Sequence, residues 1–309
     1  SVESLQHSLN STGPVFLIMV LGYLLRRRTR MMDQRFADYL NAFVFKAALP
    51  VQLFENLSTS DFHTIWDGGV VLFCFLVTLA SILLLLALSY LLRDRSIQAE
   101  FVQAGYRGSQ ALLGSALMQN LYGGNGPLAL VLIGAVPLYN VAAVAPGGHL
   151  DRKTIGKTLR GIVTNPIILG IAAGLLWSLL QIPQPVIMQR AVESLSVTAT
   201  PLGLLALGAS IDMKKVMGCW RPTAVCTAFK LVIFAALFLP LAVALGYRGE
   251  VLAVILIMLS SPTTVSCFSM ARSMGHDGTL SSGTVMLTTV LSAFTFTFWI
   301  YLLRSLSLM

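Results

Sequence analysis

Apolar residues in this chain run in long unbroken blocks, not in the alternation of half-buried strands or the one-sided stripe of a surface helix. Ten blocks can be marked, at roughly residues 8 to 25, 37 to 57, 68 to 92, 98 to 122, 127 to 146, 156 to 181, 187 to 211, 222 to 245, 249 to 274 and 279 to 303. Each is near the ~20 residues that a helix needs to cross a bilayer. The pattern predicts an all-α membrane protein of ten transmembrane helices with short loops and almost no chain left for a soluble domain. The ninth block is interrupted near its middle by Ser260-Ser261-Pro262-Thr263-Thr264, and turns at Gly275-His276-Asp277-Gly278 before the tenth. Proline has no N–H and its ring clashes with the preceding turn, so the helix is expected to unwind at Pro262. Unwound backbone at membrane depth survives only where it is buried in protein or lines a cavity. The four hydroxyls around Pro262 favour a substrate or ion site over a packing kink.

The chain also repeats itself. A shift of 152 residues lays Pro14 on Pro166, Met118 on Met270, Gly123 on Gly275, Asn125 on Asp277 and Gly126 on Gly278, and brings Pro50 to within one residue of Pro201. Residues 1–150 and 151–309 are therefore expected to be two five-helix repeats. Five is odd, so the second copy enters the membrane from the opposite side, the inverted repeat found in secondary transporters with sites where broken helices meet. The same shift places Ser109-Gln110 on Ser261-Pro262, which predicts a second break in segment four between Arg107 and Gly114. That segment has no proline, and Gly105, Gly108 and Gly114 supply its backbone freedom. Two helix N-termini, near Ala111 and Thr263, would then face one midplane crossing, and their exposed N–H groups favour an anion. Arg107 either adds a full positive charge there or snorkels to a carbonyl.

Charge sets the orientation. Of the 21 Lys and Arg, fifteen lie in loops after odd-numbered segments, three (Arg190, Arg248, Arg304) lie on the opposite side, and Lys46, Arg107 and Lys230 fall within segments. By the positive-inside rule both termini face outward. The first block has no Lys or Arg before it and is followed by Arg26-Arg27-Arg28, so it is expected to stay in the protein and not to be cleaved as a signal. With 56% hydrophobic and 11% charged residues the chain is far from the ~25% charge of soluble domains. The net charge of +8 is accounted for by loop cations and implies no nucleic-acid partner.

Catalytic chemistry has little support. Cys74, Cys219, Cys226 and Cys267 show no metal spacing, the four histidines avoid segment centres, and HExxH and GxSxG are absent. No cofactor, metal or disulfide is expected. Lys230, about two turns into segment eight, is expected to snorkel toward the near surface. Tyr139 and Asn140 form a polar pair in segment five that needs hydrogen bonds, and the shift sets Ser292 opposite Asn140.

The run Ser261-Pro262-Thr263 through Met270-Ala271 and Met274-Gly275, then Leu287-Thr288-Thr289-Val290-Leu291-Ser292, resembles the last two helices of the auxin efflux carrier family. Asn41 to Leu53 with Leu49-Pro50, Arg107 to Gly114, Asn140, Asn165-Pro166 and Gly208 resemble its other helices, so the likeness covers essentially the whole chain. The family includes plant auxin exporters and bacterial carriers of malate- or malonate-like acids, and the short loops are similar to the bacterial branch. Where the family tends to carry Gly-x-Pro in the fourth helix this chain has Gly114-Ser115-Ala116, and where it tends to place asparagine after the ninth-helix proline it has Ser266.

The resemblance implies a fold like that of sodium-proton antiporters and bile acid symporters, in the inner (plasma) membrane of a bacterium. Segments 1, 2, 6 and 7 would form a scaffold and homodimer surface, and segments 3 to 5 with 8 to 10 a moving bundle. Pro50 and Pro201 would be paired scaffold kinks, with Leu49 and Leu53 walling the pocket. The substrate-binding set is Arg107, Ser109, Gln110, Gly114, Ser115, Asn140, Ser261, Pro262, Thr263, Thr264 and Ser266. The expected function is export of small organic anions, auxin-like or dicarboxylic acids, by elevator-type alternating access. Acidic residues of the bundle (Asp94, Glu100, Glu250, Asp277) lie at segment ends. An anion there would be expelled by an inside-negative potential at about 2.3 kcal/mol per charge per 100 mV. A proton- or sodium-coupled organic acid symporter, with Glu100 as the proton group, is the alternative. A receptor or sensor that keeps the fold without transport is the second.

Overall fold

A computed structural model of the chain describes residues 2–59, 61–142, 152–212, 214, 217–264, 267 and 278–309. Every regular element among them is helical, apart from one isolated antiparallel bridge between Gly108 and Thr263. In order these are α1 (Val2–Arg28), α2 (Gln34–Phe43), α3 (Leu49–Ser58), α4 (Phe62–Ile65), α5 (Gly68–Ser89), α6 (Gln98–Tyr106), α7 (Leu112–Tyr122) and α8 (Leu128–Ala142). The second half holds α9 (Arg152–Val163), α10 (Pro166–Leu180), α11 (Val186–Ser196), α12 (Ala199–Ala209), α13 (Trp220–Ala228), α14 (Phe234–Ala244), α15 (Gly249–Ser260) and α16 (Thr279–Ser305). A π-helical turn at Val44–Ala48 joins α2 to α3, and another at Phe229–Ile233 joins α13 to α14.

Helices thus fall in all ten apolar blocks. Four helical runs among the described residues are long and apolar enough to cross a membrane: α5, Val186–Ala209, Met217–Ala244 and α16. The α9–α10 pair, bent before Pro166, qualifies when its pieces are taken together. The turn predicted at 275–277, Ser266 and the junction of the two repeats at 150–151 lie outside the described residues.

Local sequence explains where the helices start. Asp33 accepts the Phe36 N–H at 2.7 Å, Asp67 accepts the N–H groups of Gly69 and Val70, and Asn165 accepts that of Ile167 with Pro166 just inside the helix. Each side chain satisfies donors that the first turn leaves unpaired. Between α5 and α6, Asp94 accepts both the Ser96 hydroxyl (2.6 Å) and amide (2.9 Å), bonds that hold its carboxyl below the ordinary value. Gly126 and Gly278, equivalent under the 152-residue shift, both take positive φ just before the next helix.

Polarity is inverted relative to a water-soluble fold. On α16 the hydroxyl residues Ser281, Ser282, Thr284, Thr288, Thr289 and Ser292 are buried, while Phe294 and Phe298 are exposed at 72% and 55%. Large exposed apolar side chains facing lipid cost nothing, and small hydroxyl residues let helices approach closely inside. Glycines extend that logic. A Cβ on Gly22 would stand on the Leu205 backbone and one on Gly208 on the Met19 carbonyl, so α1 and α12 pack backbone to backbone. Gly170 and Gly174 do the same for α10 against Pro50 and Phe54 of α3. Helices of segments 1, 2, 6 and 7 therefore interlock as one layer. In the remainder α5 packs against α6 and α8, α13 against α16, and α14 against α15.

Segment eight differs from the sequence reading. Its helical run starts at Met217, earlier than residue 222, so Lys230 lies about 15 Å in, ten residues beyond Trp220. The side chain does not snorkel; it is 1% exposed and turned into the bundle.

The α1–α12 contact leaves no room for a side chain. Gly208→Val is expected to lower stability by about 1–3 kcal/mol, the usual cost of overpacking. Thermal unfolding in detergent checks this, with Gly156→Val, where an added Cβ meets nothing, as the unaffected control.

Candidate functional site

Three helix ends meet in the middle of the molecule. α6 stops at Tyr106 and α7 begins at Leu112, while α15 stops at Ser260. Residues 107–111 and 261–264 pass each other antiparallel: the Ser109 N–H donates to the Pro262 carbonyl at 2.8 Å, and the Thr264 N–H to the Arg107 carbonyl at 3.0 Å. Pro262 has no hydrogen to give, and its carbonyl is what the partner strand uses. Segment four opens without a proline because of Gly108. A Cβ there would overlap the Ser261 hydroxyl and stand 3.1 Å from Cε of Lys230, so only glycine allows this approach.

The remaining polar groups of the breaks are largely satisfied within the protein. The Arg107 N–H returns to the Gln103 carbonyl (3.0 Å) and the Thr263 hydroxyl donates to the Ala104 carbonyl (2.7 Å). The Thr263 N–H reaches Thr288 Oγ1 (3.0 Å) on α16, and the Ser261 N–H reaches the Ile257 carbonyl (2.9 Å). Within residues 107–111 and 261–264, three buried atoms have no hydrogen-bond partner among the described residues: Arg107 Nη1, Gln110 Nε2 and Ser261 Oγ. All three can donate. Gln110 is oriented by Tyr139, whose hydroxyl donates to Oε1 at 2.7 Å and leaves the amide NH2 turned away. Arg27–Asp212, at 3.9 Å, is the sole ion pair among the described residues, so neither Arg107 nor Lys230 is paired with a carboxylate there. Glu100, 3% exposed, is engaged elsewhere; its Oε1 accepts the Ser281 N–H at 2.8 Å at the start of α16.

A second cluster joins the two helix groups. Ser115 Oγ lies 2.8 Å from Gln52 Oε1 on α3 and 2.8 Å from Asn125 Oδ1 in the turn after α7, and Gln52 Nε2 lies 3.4 Å from Thr200 Oγ1 on α12. One hydroxyl hydrogen cannot serve two carbonyl oxygens, and Asn125 Nδ2 has no partner among the described residues. Rotating the Asn125 amide resolves both problems, giving a chain from Asn125 Nδ2 through Ser115 to Gln52. Above this chain a cavity of about 450 Å³ opens between Leu53, Asn56 and Leu57 of α3 and the 124–127 turn, Leu130 and Glu250.

The sequence-predicted residues divide accordingly. Arg107, Ser109, Gln110, Ser261, Pro262, Thr263 and Thr264 converge at the crossing, with Ser115 one turn into α7 beside Gln52. Gly114 faces α15 and α8, where a Cβ would press on Ile257 and Leu128. Leu53 lines the large cavity and Leu49 is fully buried. Pro50 follows the π-helical turn in the first turn of α3, and Pro201 sits exposed in the first turn of α12 beyond the break from α11. Asn140 follows Tyr139 on α8, its side chain outside the described set. The sequence reading missed Gln52, Asn125 and Lys230. Gln52 was signalled by an amide inside an apolar block, and Lys230 by its i, i+4 spacing from Cys226 and Phe234 on one buried face.

Against protein families, the chain matches the one described as "Membrane transport protein" over residues 7–149 and 150–300. It is 27% identical over 314 aligned residues to a protein of Rhizobium meliloti (strain 1021) named "Putative malonate transporter", the alignment covering 94% of each chain. It is 24% identical over 152 aligned residues to "Auxin efflux carrier component 7" of Arabidopsis thaliana, which is 47% of this chain and 25% of that one.

The Thr263 hydroxyl closes the open end of α6. Thr263→Val is expected to orphan the Ala104 carbonyl and lower stability by about 1–3 kcal/mol, and Thr263→Ser to restore most of it. Paired thermal denaturation of the two variants separates this role from a ligand contact.

Proposed function

This chain belongs to the membrane transport protein family, and from that premise we propose that it carries small organic anions, held by their carboxylates at the crossing of the two interrupted helices. One observation carries the reading: the buried side-chain groups left without partners at the crossing are all able to donate, and one of them is an arginine. A carboxylate supplies what these groups lack, since charge-assisted bonds to an anion are the strong ones. The N-terminus of α7, which begins at Leu112, adds a dipole that favours an anion. The relative's name makes malonate the natural probe.

In this reading the ten helical segments form two inverted repeats. The interlocked layer of segments 1, 2, 6 and 7 is the scaffold, and segments 3 to 5 with 8 to 10 are the carrier that moves against it. Two features support the division. The cavity of about 450 Å³ lies between α3 on one side and α8 and α15 on the other, so the two groups are already parted at that end. The Gln52–Ser115 bond is a polar link between them that a sliding motion would exchange.

Arg107→Gln is expected to weaken malonate binding by about 10- to 150-fold, the equivalent of losing 1.5–3 kcal/mol of charge-assisted bonding. Calorimetry on the purified protein measures this, and proteoliposome flux of labelled malonate tests carriage itself. Binding without flux makes the protein a receptor. Unchanged affinity in Arg107→Gln removes the crossing as the anion site.

A further inference from the structure

Lys230 is the charged group behind the crossing that the anion site does not use. Its Nζ lies 3.5 Å from the Met258 carbonyl, near the C-terminal end of α15, and its stem passes Gly108, where a Cβ would stand 3.1 Å from Cε. A cavity of about 20 Å³, room for one water, lies beside it, lined by Thr78 and Ser81 of α5, Tyr106 and Tyr139. An ammonium has three donors, and this one has a single long bond to a carbonyl.

Among the described residues, the neighbouring titratable groups offer no fixed counter-charge. α5 contributes Cys74, one turn from Thr78, and α6 contributes Tyr106, with Arg107 next to it. Tyr139 comes from α8, Cys226 lies one turn back on the same helical run, and Cys267 lies beyond the crossing. From α16 comes Trp299, bonded to the Leu231 carbonyl at 3.1 Å, with Tyr301 and Arg304 past it toward the helix end. Glu100 begins α6 about 9 Å along its axis from Tyr106 and is bonded to Ser281 N. A charged amine so enclosed is costly until an opposite charge arrives.

The crossing is where an opposite charge would arrive. We propose that Lys230 is a proton-binding site linked to the anion at the crossing: the Nζ lone pair takes a proton from water as the carboxylate binds, and both leave together. This rests on the anion reading above and adds the coupled ion to it. The linkage is reciprocal, since an anion that favours the ammonium must be favoured by it to the same degree. Proton and anion then cross in the same direction, in place of the uncoupled export expected from the sequence, and Lys230 takes the role offered to Glu100.

Calorimetric titration of malonate into the purified full chain, in two buffers of different ionisation enthalpy and at a pH where malonate is already doubly ionised, counts protons taken up on binding. The wild type is expected to take up about one per anion, with affinity falling about tenfold per pH unit where the free amine is neutral. Lys230→Met and Lys230→Arg, the second a permanent cation, are expected to bind with no proton uptake and pH-independent affinity. Wild-type binding with no proton uptake overturns the Lys230 assignment alone, whether or not the variants fold. Uptake that persists in Lys230→Arg also overturns it, and absence of carboxylate binding by the wild type overturns it together with the anion site.

Discussion

Inside a bilayer every backbone N–H and C=O must find a partner within the protein, and helices that stop inside the bundle leave such groups open. The antiparallel contact between residues 107–109 and 262–264 is how this chain pairs them: each break supplies the hydrogen bonds that the other lost. Thr263, Thr288 and the carbonyls of Ala104 and Ile257 complete the set. What remains unsatisfied within the two breaks is Arg107 Nη1, Gln110 Nε2 and Ser261 Oγ, groups able to donate.

Around this centre the packing follows from the medium. With lipid outside, burial of apolar surface does not by itself press helices together, and close approach must do so. Gly22, Gly170, Gly174 and Gly208 let backbones touch in one helix group. In the other, hydroxyl residues of α16 pack inward against the bundle. The π-helical turn at Phe229–Ile233 belongs to the same economy of contacts. Its Leu231 carbonyl receives Trp299, and its Lys230 reaches Met258, so one irregular turn ties α15 and α16 to the centre.

Much of this was legible in the sequence, and the reasons are local. Pro262 announces a break because the cost of proline in a helix needs no tertiary context. The break at Arg107 was legible only through the 152-residue shift, since Gly108 reads as one small residue among many until the Ser261 hydroxyl is seen against it. Gly114 is a similar case: a glycine signals close approach but not to what, and here the neighbours are Ile257 and Leu128. Lys230 was read as a snorkelling end residue because hydropathy blurs helix ends by several residues, and the true start at Met217 puts it beyond the reach of the surface. The partners of Ser115 come from α3 and from the turn after α7, a meeting that no spacing along the chain encodes.

The bridge at the crossing is also a mechanical joint. Two short hydrogen bonds between antiparallel strands resist sliding, because a slip of one residue, about 3.3 Å, breaks both at once and offers no equivalent register to fall into. These two bonds therefore tie the start of α7 to the end of α15 through the backbone itself. Stiffness of this kind resides in the backbone, and it tolerates only side chains that keep the approach at Gly108 and the bonds of Thr263.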